Sequence, residues 1–250
     1  MAGFLEDRHI VSWACQVLLH FRGRGYVGYY EKRSGTGPPT ADPWCAIHSA
    51  VISGLEKLVL SLLDEGFDVD ARDGDGMTPL LWELRDAALT TLLMSNKAID
   101  VNARSTTCGY TPLSIAARKG DQATVQLLLA REEIDVNVPE TQVTRSHTAL
   151  SITGTLNYPG MVELLLERED TKADSRDEQG TTPLMKAAHR GNACIVKLLL
   201  ARSDVDVLAV DDNGATPLSS AEERRMGGSE NDHDSVIRLL HSAIEERIIS

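Results

Sequence analysis

Apolar residues in this chain arrive in short bursts at a regular spacing. Leu62-Leu63, Leu92-Leu93-Met94, Leu127-Leu128-Leu129, Leu164-Leu165-Leu166, Leu198-Leu199-Leu200 and Leu239-Leu240 each fall in a segment of helical periodicity. Residues 105–138 show the whole pattern. Thr111 is suited to cap a helix, and Pro112 then takes the first helical position, where its missing N–H costs nothing. Leu113, Ile115, Ala116 and Ala117 predict a short helix, and Gly120 predicts a left-handed residue that ends it. Asp121 opens a second helix whose apolar stripe is Val125, Leu127, Leu128 and Leu129. The stretch Ile134-Asp135-Val136-Asn137 then leads into an extended finger.

This unit recurs. Thr78-Pro79-Leu80, Thr111-Pro112-Leu113, Thr182-Pro183-Leu184 and Thr216-Pro217-Leu218 share one tripeptide, with Thr148-Ala149-Leu150 as a degenerate copy. Their middle residues are separated by 33, 37, 34 and 34 positions. Such a period marks a stacked repeat array. Helices of about two or three turns are too short to be stable alone in water. Neighbouring units must therefore create the core by stacking, and stability becomes roughly a sum over units and interfaces. Fingers starting at Val69, Val101, Val136, Ala173 and Val207 divide the chain into about six units: 41–72, 73–104, 105–138, 139–176, 177–210 and 211–250.

The pattern resembles the ankyrin repeat, down to Asp-Gly-Met-Thr-Pro-Leu at 75–80 and Asp-Asn-Gly-Ala-Thr-Pro-Leu at 212–218. The resemblance implies an all-α solenoid of antiparallel helix pairs joined by β-hairpin fingers. The spellings at 130–137 and 201–207 look like repeats of large fungal ankyrin proteins. In some of those the array follows a nucleotide-binding switch module, but this sequence holds no Gly-x4-Gly-Lys-Ser/Thr phosphate loop. His48, after Ala46-Ile47, stands where the family places a histidine that satisfies backbone groups of the finger.

Several units depart from the pattern. The second lacks a glycine between its helices and carries Trp82, Glu83 and Arg85 on the first. The fourth has Asn157 where glycine is expected, a residue that tolerates the left-handed conformation. Its finger, 137–147, is long, and the sixth unit has extra residues at 226–231 that read as a surface loop. Ahead of the array, residues 4–21 predict an amphipathic helix capping the first unit, and 1–40 as a whole form this cap and a Gly/Pro linker.

Composition narrows the function. The net charge of −12 is uneven, with five Lys/Arg against three Asp/Glu in 1–41 and 20 against 34 in 42–250. An acidic body repels phosphates, which argues against nucleic acid. The Arg22-Gly-Arg-Gly-Tyr26 run, with the tyrosines to Tyr30, could stack on single-stranded RNA as an alternative, but is read more simply as linker. Cys15, Cys45, Cys108 and Cys194 have no paired spacing and read as reduced thiols of a cytosolic or nuclear protein. No apolar run reaches the roughly 18 residues of a membrane helix. Glu6 and Asp7 are the wrong charge for a secretory signal, so neither a membrane nor a secreted location is expected.

Catalytic constellations are missing from the sequence. The histidines form no His-x3-His pair, and there is no Gly-x-Ser-x-Gly elbow. Asp73, Asp75, Asp211 and Asp212 cluster on fingers, where such residues serve turns. His233, between Asp232 and Asp234, is a weak metal candidate in a flexible loop. The expectation is a non-enzymatic scaffold or adaptor, monomeric and without cofactor, with a small-molecule or catalytic role on the same face as the alternative.

Partners of the family usually touch finger tips and the concave face of the first helices. Carried onto this chain, those places are Trp44, Asp75, Met77, Arg85, Tyr110, Arg118, Lys119, Arg145, His147, Glu178, His189, Arg190, Asp212, Asn213, Glu223 and Arg224. Arg118-Lys119, His189-Arg190 and Arg224 make this face cationic on an acidic body. It should suit an acidic, extended protein segment, since the arginine fork matches carboxylates, with Trp44, Met77 and Tyr110 as apolar anchors. On this view Arg118→Glu with Arg190→Glu should abolish partner capture and leave the melting curve intact.

Overall fold

The computed structural model describes residues 44–84, 87–142, 145–226 and 232–249. The expected cap at 4–21, its linker and residues 227–231 lie outside the described residues. The chain divides into two compact units, Met1–Thr107 and Cys108–Ser250. Among the described residues it is an all-α protein of twelve helices in six consecutive pairs, with a single pair of strands.

The first unit holds α1 (Trp44–Ile52), α2 (Glu56–Asp64), α3 (Pro79–Glu83) and α4 (Ala87–Ser95). Gly54, at φ 71°, turns α1 into α2. Thr78 caps α3 by accepting a hydrogen bond from the Leu81 amide, with Pro79 behind it at the first helical position. The core between α1, α3 and their partners is Ile47, Ala50, Val51, Val59, Leu62, Leu80, Leu84, Leu89 and Leu93, all essentially inaccessible. The α3 helix is only five residues long and ends at Leu84 (φ −55°, ψ 37°), whereas α1 is followed by the left-handed Gly54. His48 Nε2 bonds the Met77 carbonyl at 2.9 Å, as the family resemblance implied.

The second unit holds α5 (Pro112–Lys119), α6 (Gln122–Leu129), β1 (Glu140–Gln142), β2 (Arg145–His147), α7 (Ala149–Leu156), α8 (Pro159–Leu166), α9 (Pro183–Arg190), α10 (Ala193–Leu200), α11 (Pro217–Met226) and α12 (His233–Ile249). The first helices pack in the order α5, α7, α9, α11, and the second helices in the order α6, α8, α10, α12. Thr111 and Ser114 exchange side-chain and backbone bonds in a capping box, and Thr148 and Thr182 cap α7 and α9. Gly120, Asn157 and Gly191 end the first helices in the left-handed conformation, at φ 72°, 61° and 69°. Asn157 therefore does the work of the missing glycine. Val125, Leu128, Val162, Leu165, Ile195, Val196 and Leu199 form the seam of the second helices.

The fingers differ from the expected hairpins. Only the long one forms strands among the described residues, antiparallel with Glu140 opposite His147 and Gln142 opposite Arg145. Three of the shorter fingers are turns organised by an aspartate. Asp73 Oδ1 accepts from the amides of Asp75 and Met77, Asp177 Oδ1 from Gln179 and Thr181, and Asp211 Oδ1 from Asn213 and Ala215. One carboxylate thus satisfies two amides that a strand ladder would otherwise occupy. Layers also tie together through arginine. Arg168 and Arg202 donate to the Leu129 and Leu166 carbonyls at the end of the preceding second helix, at 3.2 and 3.1 Å, while ion pairs to Asp170 and Asp204 hold their guanidinium groups in place.

Candidate partner-binding surface

In the second unit, cations gather at the C-terminal turns of the first helices. Arg118 and Lys119 end α5, His189 and Arg190 end α9, and Arg224 and Arg225 lie in the last turn of α11. A helix C-terminus carries partial negative charge, so these placements are locally favourable before any partner is considered. Because α5, α7, α9 and α11 pack in sequence, the pairs recur along one side of that unit, interrupted at α7, whose last turn holds no basic residue.

The cations are not equivalent. Arg118 donates from Nε to Glu140 Oε2 at 3.0 Å and forms an ion pair with the same carboxylate, which is fully buried at the start of the hairpin. Its guanidinium also lies over the Tyr110 ring, 5.9 Å from the centroid. The Glu140 hydrogen bond raises the Arg118 pKa further above its ordinary value. On this geometry Arg118→Glu is expected to destabilise the unit rather than leave its melting curve intact. The variant would set a second carboxylate against a buried one.

Lys186 bridges two elements. Its Nζ lies 2.9 Å from Asp177 Oδ2 on the finger and 2.7 Å from His147 Nδ1 on β2. An ammonium only donates, so Nδ1 accepts and the His147 proton sits on Nε2. Burial pushes the Asp177 carboxyl up, but Lys186 and the backbone amides outweigh burial and hold it below the usual range. Arg224 likewise donates from Nε to His189 Nε2 at 2.9 Å. Desolvation first, then Arg224 and Arg190, lower the His189 pKa, in keeping with its Nε2 accepting from Arg224. Arg190 is exposed on the same turn.

The remaining sequence candidates fall as follows. In the first unit, Asp75 and Met77 are half-buried at a finger tip, where Asp75 Oδ1 accepts from the Thr107 hydroxyl at 3.3 Å. Trp44 opens α1 and Arg145 lies in β2, but their side chains, like Arg85 altogether, lie outside the described residues. In the second unit Tyr110 is half-buried beneath Arg118, and Lys119, Glu178, Asp212, Asn213, Glu223 and Arg224 are exposed. The Asp212 amide donates to the Gln179 carbonyl at 3.0 Å, so two neighbouring tips support each other. His147, Asp177 and Lys186 come together, as do His189, Arg190, Glu223 and Arg224.

His233 is not in a loose loop; it begins α12, is 2% exposed, and lies 3.2 Å from the His189 carbonyl through Nε2. Among the described residues no group of three or more His, Cys, Asp or Glu could hold a metal ion. Glu140, Asp177 and Lys186 were not singled out in the sequence. A signal for Lys186 exists: it follows the turn aspartate Asp177 by nine positions, as Trp82 follows Asp73, and Trp82 Nε1 donates to Asp73 Oδ2 at 2.8 Å. Glu140 offers no such regularity. No described helix is long and apolar enough to cross a membrane.

Comparison with known proteins agrees with this geometry. The family model described as ankyrin repeats (3 copies) matches residues 47–140 and 146–247. An ankyrin repeat domain from Acinetobacter baumannii superposes with a TM-score of 0.68 at 23% identity, covering 81% of this chain and 98% of that one. The ankyrin repeat domain of Bcl-3, described as a unique member of the IkappaB protein family, gives a TM-score of 0.67 at 24% identity and covers 94% of this chain and 96% of that domain. Glycerophosphocholine phosphodiesterase GDE1 of Candida albicans is 34% identical over 127 residues, half of this chain but only 10% of that protein. The chain thus spans about a tenth of the length of that relative.

Proposed function

Since the chain belongs to the ankyrin repeat family, whose members are generally protein-interaction modules, we propose that it is a non-enzymatic scaffold or adaptor whose second unit grips an acidic, extended protein segment. The observation that supports this reading most is the recurrence of exposed cations at the ends of α5, α9 and α11 on a chain of net charge −12. Lys119, Arg190, Arg224 and Arg225 are among the exposed members of that row. Tyr110 offers an aromatic edge beside it, and Glu178, Asp212 and Asn213 at the tips would select register. Arg118 and His147 also brace the unit through Glu140 and Lys186, and Arg224, though exposed, leans on His189. Trp44, Asp75, Met77 and Arg85 remain candidates in the first unit, and Arg145 on the hairpin. A monomeric protein of the cytosol or nucleus fits this role.

The test is a display selection of random fifteen-residue peptides on the full chain, repeated with Arg190→Glu/Arg224→Glu. Wild-type protein should enrich peptides rich in Asp and Glu, bound at least about tenfold more weakly by the variant, a loss of roughly 1.4 kcal/mol. Rim charges contribute mainly to encounter and orientation, so the loss should shrink with added salt. Enrichment of neutral peptides, or equal affinity for both proteins, would overturn the reading.

A further inference from the structure

Asn137, Asp70 and Asp174 occupy the same place in three fingers, directly after Val136, Val69 and Ala173. Asn137 joins its layer to the next with both ends of its amide. Oδ1 accepts from the Lys172 amide at 2.8 Å, and Nδ2 donates to the Asp170 carbonyl at 2.8 Å. Asp70 makes the first of these bonds, accepting from the Asp100 amide through Oδ2 at 2.8 Å, and Asp174 accepts from the Asp206 amide. The second bond is missing in both. Asp70 Oδ1 and Asp174 Oδ1 are buried without a hydrogen-bond partner. An ionised carboxylate has no hydrogen to give, whereas a neutral carboxyl has one and matches the amide of Asn137 in shape. By register, the carbonyls equivalent to that of Asp170 belong to Ala98 and Asp204.

We propose that Asp70 and Asp174 are acid-responsive ties, each clasping the following layer fully only as a neutral carboxyl, so that both layers tighten when the pH falls. The surroundings agree. Burial raises the pKa of Asp70 foremost; the Asp100 amide bond opposes it, the charges of Asp100 and Asp68 add to it, and Arg72 opposes. Burial does the same to Asp174, with Asp206 and Asp204 adding and Arg176 opposing. The two arginines are engaged with backbone: Arg72 donates to the Arg104 and Gly76 carbonyls, and Arg176 to that of Val210. A carboxyl with a raised folded-state pKa contributes stability that is complete below its unfolded value and is lost as the pH climbs through the folded one.

The experiment is thermal unfolding of the full chain from pH 4 to pH 8 for wild type, Asp70→Asn, Asp174→Asn, the double variant and an exposed control, Glu163→Gln. Asparagine keeps the donor at every pH. Each Asn variant should melt about 2–4 °C above wild type at pH 7 to 8, the gain should vanish towards pH 4, and the control should show no such trend. A gain that is constant with pH, or a loss at pH 7, overturns the proposal. A direct readout is the carboxyl carbon titration of both residues in the native chain by NMR. Midpoints above the ordinary aspartate value of about 3.9 support the ties, and midpoints at or below it overturn them.

Discussion

Leu128 and Leu199 sit on α6 and α10 with no accessible surface, each between its own first helix and the neighbouring layer. Leu208, directly after Val207 at the start of a finger, is 52% exposed. The same side chain should therefore matter very differently at these places. Leu128→Ala or Leu199→Ala should cost about 2–5 kcal/mol in urea unfolding, because a cavity is left between layers that cannot collapse around it. Leu208→Ala should stay within about 0.5 kcal/mol. Equal costs at all three would mean that the seam is not where the aliphatic stripes lie. The bursts of leucine carried this information directly, since the buried member of each burst follows from helical periodicity.

At the scale of elements, the hairpin β1–β2 is the feature that departs most from the repeat. Its entry residue, Glu140, is completely buried, and Arg118 from α5 supplies a positive charge opposite it. Removing one partner of a buried pair leaves an uncompensated charge, worth about 3–5 kcal/mol when both groups are buried. The Arg118 side chain is 36% exposed, so water screens part of that loss. Arg118→Ala should cost about 2 kcal/mol, and a double-mutant cycle with Glu140→Ala should show positive coupling. Coupling near zero would mean that the hairpin is held by its strands and by His147 with Lys186 instead. The length of the finger was visible in the sequence. Its closure by Arg118 was not, because the two residues are 22 positions apart and neither repeats in other units.

For the molecule as a whole, stacked repeats reach stability only when about three or more units share faces. The unit Cys108–Ser250 contains four helix pairs and its own seams of first and second helices. Residues 108–250 expressed alone should therefore fold and melt cooperatively, measured by circular dichroism; a non-cooperative, partly helical profile would show that the seams do not suffice. Its pH response should combine opposite trends. Asp170 and Asp204 have pKa values lowered by the arginine hydrogen bonds of Arg168 and Arg202, so their contributions exist above the unfolded value and fade on acidification. Asp174 runs the other way.

Repetition made the architecture legible from the amino acids alone. Thr-Pro-Leu caps, left-handed Gly120, Asn157 and Gly191, and aliphatic stripes are local signals, governed by backbone conformation and helical period, and each recurs often enough to be read in phase. The roles of individual charges were settled only by folding. Arg118, Lys186 and Arg224 look alike as basic residues in a row, yet one seals a buried glutamate, one joins a finger to a hairpin and one leans on a histidine. Those differences depend on which group another layer brings within about 3 Å, and hydrogen-bond reach across layers has no periodicity in the chain for a reader to follow.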